Sequence, residues 1–159
     1  MSNTSRDALF EKTAAALGYS FDGELLVGGK YVPLLAHGKE LYISGQIPRV
    51  GNTIVVTGSV GANIDLAQGQ LAAKICVMRA LALLRRQLGS LDQVAKILRI
   101  TVFVHSAADF TQQSEVADGA SEILHAIFAE AGVHTRTSVG VSQLPKNAAV
   151  ELDMIAVSL

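Results

Sequence analysis

Two long stretches of the chain repeat apolar residues at helical spacing. In Asp65–Leu88, Leu71, Ile75, Met78 and Ala82 form one stripe, Val77, Leu81, Leu84 and Leu88 widen it, and Gly89 follows its end. In Asp109–Ala131, Val116, Ala120, Ile123 and Ile127 make a second stripe ended by Gly132. Gly119 within it costs about 1 kcal/mol relative to alanine, which marks close packing. A shorter helix is expected over Asn3–Leu17, with Thr4 or Ser5 as its cap and Gly18 beyond it. Between these lie β-branched and alternating runs. "GELLVGG", "YVPLLAHG", "ELYISGQIP" and "NTIVVTG" precede the first long helix, "ILRITVFVH" separates the two, and Arg136–Gln143 and Ala149–Val157 close the chain, joined through "LPKNA" as a hairpin. The pattern predicts an α+β fold of one domain, residues 1–159: a sheet with two long helices packed on one face, and residues 1–18 as an N-terminal helical extension.

The sheet's other face has no element left to cover it. Half of the residues are hydrophobic and only 17% are charged, which predicts that this face is buried against other subunits. Net charge is −1, and no basic block exceeds Arg85-Arg86, so nucleic-acid binding is not expected. The single cysteine, Cys76, sits in an apolar helical run and reads as a core thiol of a reducing compartment. No stretch approaches a membrane span and the N-terminus has no apolar leader, so a cytoplasmic protein is expected.

Several chemistries find no support. His37, His105, His125 and His134 form no metal-binding spacing, no thiolate cluster is possible, and Glu122 with His125 reads as a surface pair. "VGGK" and "GSVGAN" lack the spacing of nucleotide loops, and there is no serine-hydrolase elbow. Charged residues in strands carry more. In "RTSVGV", Arg136, Ser138 and Gly140 alternate with Thr137, Val139 and Val141; in "AVELDMIAV", Glu151 and Asp153 share one face. Paired as a hairpin, these strands would bring Arg136, Ser138 and Glu151 to one face. An edge or intersubunit ion pair accounts for such a set, as does a carboxylate site, because a guanidinium fork binds a carboxylate through two parallel hydrogen bonds.

Three segments together resemble the Rid (YjgF-type) family, the reactive intermediate deaminases also labelled endoribonuclease L-PSP. They are "SGQIP" at Ser44–Pro48, Tyr31 thirteen residues before that serine, and "RTSVGVSQLPKNAAVELDMIAV". The resemblance spans Gly29–Leu159. It implies a chorismate-mutase-like fold with a mixed sheet, assembled as a homotrimer with sheets facing inward and clefts between subunits. Arg136 would bind the substrate carboxylate and Glu151 would position or activate a water. Tyr31, Ser44, Gly45 and Ser138 would line the same cleft, with Tyr31 supplied by a neighbouring subunit. It further implies hydrolysis of enamines and imines such as 2-aminoacrylate to a 2-keto acid and ammonia, with no cofactor and no metal.

The chain departs from the family pattern where Ser138 replaces a cysteine, His134 a proline, and Gly119 aligns with an asparagine of the deaminase branch. "DGASEIL" and "AGVHTR" resemble a separate branch without a settled activity. Two other functions therefore stand beside the deaminase: a non-catalytic trimer that binds small carboxylates as a sensor or regulator, and an endoribonuclease. The near-neutral charge and 5% aromatic content weigh against the last.

Overall fold

The structure is a computed structural model that describes residues 4–159. The expected start of the first helix at Asn3 lies outside them. Helix α1 (Arg6–Leu17) is capped by the Ser5 hydroxyl, which accepts from Ala8 N, and ends on Gly18 in the left-handed region. Its Phe10 is buried edge-on to Phe21, with ring centroids 6.3 Å apart.

Helix α2 (Leu66–Leu88) opens with a capping box: Asp65 Oδ1 accepts from Gln68 N at 2.8 Å, and Gln68 Oε1 accepts from Asp65 N at 2.9 Å. Such a cap is worth about 1 kcal/mol. From Ala72 to Leu84 nearly every residue is buried, each large side chain contributing roughly 1.5–3 kcal/mol. Helix α3 (Gln113–Phe128) is shorter than the sequence predicts. Ala107–Phe110 form a turn closed by Phe110 N on Ala107 O, Thr111 and Gln112 are irregular, and Ala129–Gly132 wind into a 3-10 turn. α3 lies against α2 so closely that a Cβ on Gly119 would sit 2.6 Å from the Gln70 carbonyl oxygen.

Five strands form the main sheet: β1 (Leu34–His37), β2 (Glu40–Gln46), β5 (Val94–His105), β6 (Thr135–Val141) and β7 (Val150–Ser158). Of "NTIVVTG" only Thr53–Ile54 forms a strand, β4, which pairs with β3 (Arg49–Val50) as a two-stranded ribbon. "GELLVGG" is not a strand. It has no neighbouring chain to pair with, and two of its carbonyls accept from α2 instead, Gly23 from Arg86 and Leu26 from Arg79.

The sheet order is β1-β2-β7-β5-β6, antiparallel except for the parallel pair β5 and β6. The expected β6–β7 hairpin is therefore absent. α3 returns the chain from β5 to lay β6 parallel beside it, as a strand–helix–strand crossover requires. The following connection passes to the other side of β5, so that β7 pairs between β2 and β5. Lys146 and Asn147 turn this connection with φ of 59° and 57°.

The register fixes which side chains share a face. Leu34, Ile43, Met154, Ile100 and Arg136 stand in one row across the five strands, and all but the half-buried first and last are covered by the helices. Ser138 lies in the next row on the same side, with Leu152 and Val102. Glu151, Phe103 and Val139 project from the opposite, helix-free face, as do Asp153, Thr101 and Thr137. That face also exposes Leu35 and Tyr42, 60% and 41% accessible, far more than an internal apolar surface should be.

Candidate functional site

The expected site divides into two groups. Tyr31, Gly45 and Glu151 come together; Arg136 and Ser138 do not join them. Arg136 is two strands from Glu151, roughly 10 Å at the usual strand spacing, and on the other face of the sheet. The one-face arrangement read from the sequence fails because β5 separates the strands and the register turns Arg136 toward the helices.

The first group lines a cleft of about 250 Å³ at the end of β2, walled by the segment Leu26–Gly28, Tyr31, Arg49, Arg79, Pro145 and Lys146. β2 is irregular here, its pairing with β7 shifting between Ile43 and Gln46. Gly45 sits in this irregularity. A Cβ there would lie 2.1 Å from Glu151 Oε1, so the glycine is what lets the carboxylate rest against the strand. Burial, and next the negative charge of Asp153, push the Glu151 carboxyl above its ordinary value. Tyr31 stands 54% exposed at the cleft's edge. Ser44 does not line the cleft. Its hydroxyl donates to Val32 O at 2.8 Å and its N–H to Pro33 O at 2.9 Å, which fastens the segment carrying Tyr31.

Arg79 was not foreseen. It is 3% exposed, the only charged residue between Lys74 and Arg85 in the buried span of α2. Its Nε donates to Gln46 Oε1 at 3.2 Å, Nη1 to Arg49 O at 2.8 Å and Nη2 to Leu26 O at 3.5 Å. All three acceptors are neutral. Burial lowers its pKa, with Arg49 adding a repulsion. The signal was present in the sequence as a lone cation inside an apolar helix, but it reads there as part of the helix's polar side.

Around Arg136 the partners come from α3. Nη1 donates to Asp118 Oδ1 at 2.9 Å and to Ser121 Oγ at 3.0 Å; Nη2 donates to Ser114 O at 3.2 Å and Ser114 Oγ at 2.9 Å. The guanidinium that the sequence leaves unpartnered thus has an ion pair within its own chain. Ser121 Oγ is also 2.9 Å from His134 Nε2, and His134 Nδ1 is 2.6 Å from Gly132 O. A carbonyl only accepts, so the neutral ring carries its proton on Nδ1 and accepts the Ser121 hydroxyl through Nε2. Burial holds His134 below its ordinary pKa, and the nearby His125 and Arg136 charges act in the same direction. Gly119, matched in the sequence to a family asparagine, faces α2; Ser121 is the α3 residue that meets Arg136. Glu122 pairs with Lys74, not with His125, and Cys76 is fully buried beneath Val150, its thiol pushed up by burial.

Comparison with known proteins places this geometry. Residues 12–157 match the family described as YjgF/chorismate mutase-like endoribonucleases. Protein TCP17 of Trypanosoma cruzi is 38% identical over 140 residues, 87% of this chain and 88% of its own. A 2-iminobutanoate/2-iminopropanoate deaminase of Dermatophagoides farinae is 26% identical over 123 residues, 70% of this chain and 83% of its own. The crystal structure of Atu1372 from Agrobacterium tumefaciens superposes with a TM-score of 0.86 at 35% identity, covering 97% of this chain and 95% of that one. With the family matched across nearly the whole chain, and the mixed sheet and paired helices agreeing with it, this protein belongs to the YjgF/chorismate mutase-like family.

Proposed function

We propose that the protein hydrolyses small enamine or imine carboxylates of the 2-aminoacrylate type, giving a 2-keto acid and ammonia, at clefts between the subunits of a homotrimer. The observation that carries this reading is the Glu151 carboxylate, seated in the space left by Gly45 and biased toward its protonated form by burial. A carboxyl of raised pKa is suited to take a proton and return it near neutral pH. In the proposed reaction Glu151 accepts a proton from water as the oxygen bonds to the imine carbon. Glu151 returns this proton to the nitrogen, which completes the carbinolamine, and then relays the hydroxyl proton to the same nitrogen as the C–N bond breaks, the carbonyl forms and ammonia leaves. The imine carbon is already electrophilic, so the step calls on no cofactor. The similarity to an iminobutanoate deaminase supports this substrate class.

The separation of Arg136 from Glu151 favours an intersubunit site. In this reading the edge strand β6 of a neighbour brings its Arg136 to the Glu151 cleft, and the substrate carboxylate takes over from Asp118 as the partner of Arg136. A pyridoxal-phosphate dehydratase generating 2-iminobutyrate tests the reaction. Keto-acid release should accelerate with the wild-type protein and not with Glu151→Gln; no acceleration would leave a binding protein. Light scattering should give three times the 16.7 kDa chain mass, and a stable monomer would exclude the shared cleft.

A further inference from the structure

The cleft that holds Glu151 contains more positive charge than the proposed reaction uses. Arg49, Arg79 and Lys146 all line it, and Glu151 is its one carboxylate. Among the described residues neither Arg49 nor Arg79 makes an ion pair. Glu24 shares a smaller hollow with both arginines and still does not reach them. Arg49 Nε is buried without any hydrogen-bond partner. An arginine cannot shed its proton to escape such a setting, so two adjacent guanidiniums, Arg79 held by neutral acceptors and Arg49 with its Nε unpartnered, are an incomplete arrangement. The missing component is an anion.

We propose that Arg79 and Arg49 form an anion subsite at the base of the Glu151 cleft, which takes a second carboxylate of the substrate. The preferred ligands are then dicarboxylic imino or keto acids. Each terminal nitrogen of Arg79 spends one N–H on a backbone carbonyl and keeps one, and the two that remain are the number a carboxylate accepts from a guanidinium. Arg49, which lines the same cleft, adds its positive charge from the side. Glu151 and the reacting carbon sit nearer the mouth, beside Tyr31, and the first carboxylate goes to the neighbour's Arg136. This assignment rests on the proposed function for its substrate class, but its geometry is independent of Arg136.

Calorimetry on trimeric wild type, Arg49→Gln, Arg79→Met and Glu151→Gln, with 2-oxobutyrate and 2-oxoglutarate as probes, separates the two claims. Wild type should bind 2-oxoglutarate at least tenfold more tightly than 2-oxobutyrate. Arg49→Gln and Arg79→Met should bring the dicarboxylate down to the level of the monocarboxylate and leave the latter nearly unchanged, and Glu151→Gln should keep the preference. Arg49 is half-buried and, among the described residues, its side chain makes no ion pair, so its variant reports even if Arg79→Met misfolds. Equal affinity for the two probes in wild type, failure to bind either, or a preference that survives Arg49→Gln would overturn the subsite. Turnover of 2-iminobutyrate without a dicarboxylate preference would retain the hydrolase and remove the subsite. A preference without turnover would do the reverse.

Discussion

Gly45→Ala is the sharpest probe of the Glu151 cleft. The added methyl would sit 2.1 Å from Glu151 Oε1, 2.9 Å from Cδ and 3.2 Å from Cγ. An ordinary carbon–oxygen contact is about 3.3 Å, so the carboxylate must retreat by about 1.2 Å. Gly45 is not among the glycines with positive φ, so alanine fits the backbone. The obstructing atoms are the end of a flexible side chain, and moving them off their rotamer costs about 0.5–1.5 kcal/mol. Restricting the unfolded chain returns about 0.4–1 kcal/mol. Stability should therefore change by less than about 1 kcal/mol, whereas a misplacement of this size costs roughly a hundredfold in rate. Thermal unfolding and keto-acid release from 2-iminobutyrate would be measured on Gly45→Ala, Glu151→Gln and the double variant. If the glycine acts by seating the carboxylate, adding Gly45→Ala to Glu151→Gln removes nothing further. Wild-type turnover in Gly45→Ala, or equal additional losses in the double variant, would refute the assignment of Glu151 as the proton acceptor.

Gly119→Ala should behave in the opposite way, because its methyl meets the rigid Gln70 backbone at 2.6 Å; prising α3 from α2 should cost about 1–3 kcal/mol, read from denaturant midpoints. Arg136→Lys should leave a folded protein with roughly tenfold or greater loss of 2-oxobutyrate affinity, whereas Asp118→Ala should tighten it by freeing the fork; unchanged affinity in both would mark a purely structural pair. His134 has a lowered folded pKa, so the unfolded state binds the extra proton first as pH falls below about 6.5; its stabilising contribution is complete above that pH and is lost toward the folded pKa. Wild type should therefore lose stability between pH 7 and 5 more steeply than His134→Gln, and parallel curves would contradict this. Cys76→Ala should keep turnover and lose on the order of 1 kcal/mol of stability, and inactivation without unfolding would reveal a thiol chemistry.

The long elements were legible because their signals are local. Asp65 and Gln68 announce the start of α2, Gly89 its end, and the β-branched run of β5 its extended backbone. Strand neighbours were not legible in the same way. Alternation in "RTSVGV" defines two faces but does not say which one the helices cover, and Thr137, Val139 and Val141 are the more apolar set. It lies on the helix-free face because α3 overhangs the edge strand, where Ser138 and Gly140 leave room for it. The long helix between β5 and β6 did carry the information, since parallel neighbours need such a crossover and a hairpin does not. Tyr31, Gly45 and Glu151 came through the family resemblance. Arg79 did not, because periodicity cannot tell a cation at a helix's buried centre from one on its wet side.

The position of β7 has a consequence for how the protein is made. It is the last strand in chain order and a middle strand of the sheet, with β2 on one side and β5 on the other. A nascent chain on the ribosome can wind α2 and α3 early, but β2 and β5 have no shared partner until Val150–Ser158 has emerged from the exit tunnel. Until then the apolar edges of both strands stay open, a state prone to association with other chains. Chaperone dependence during synthesis, and severe intolerance of any truncation that removes Val150–Ser158, follow from this order of emergence.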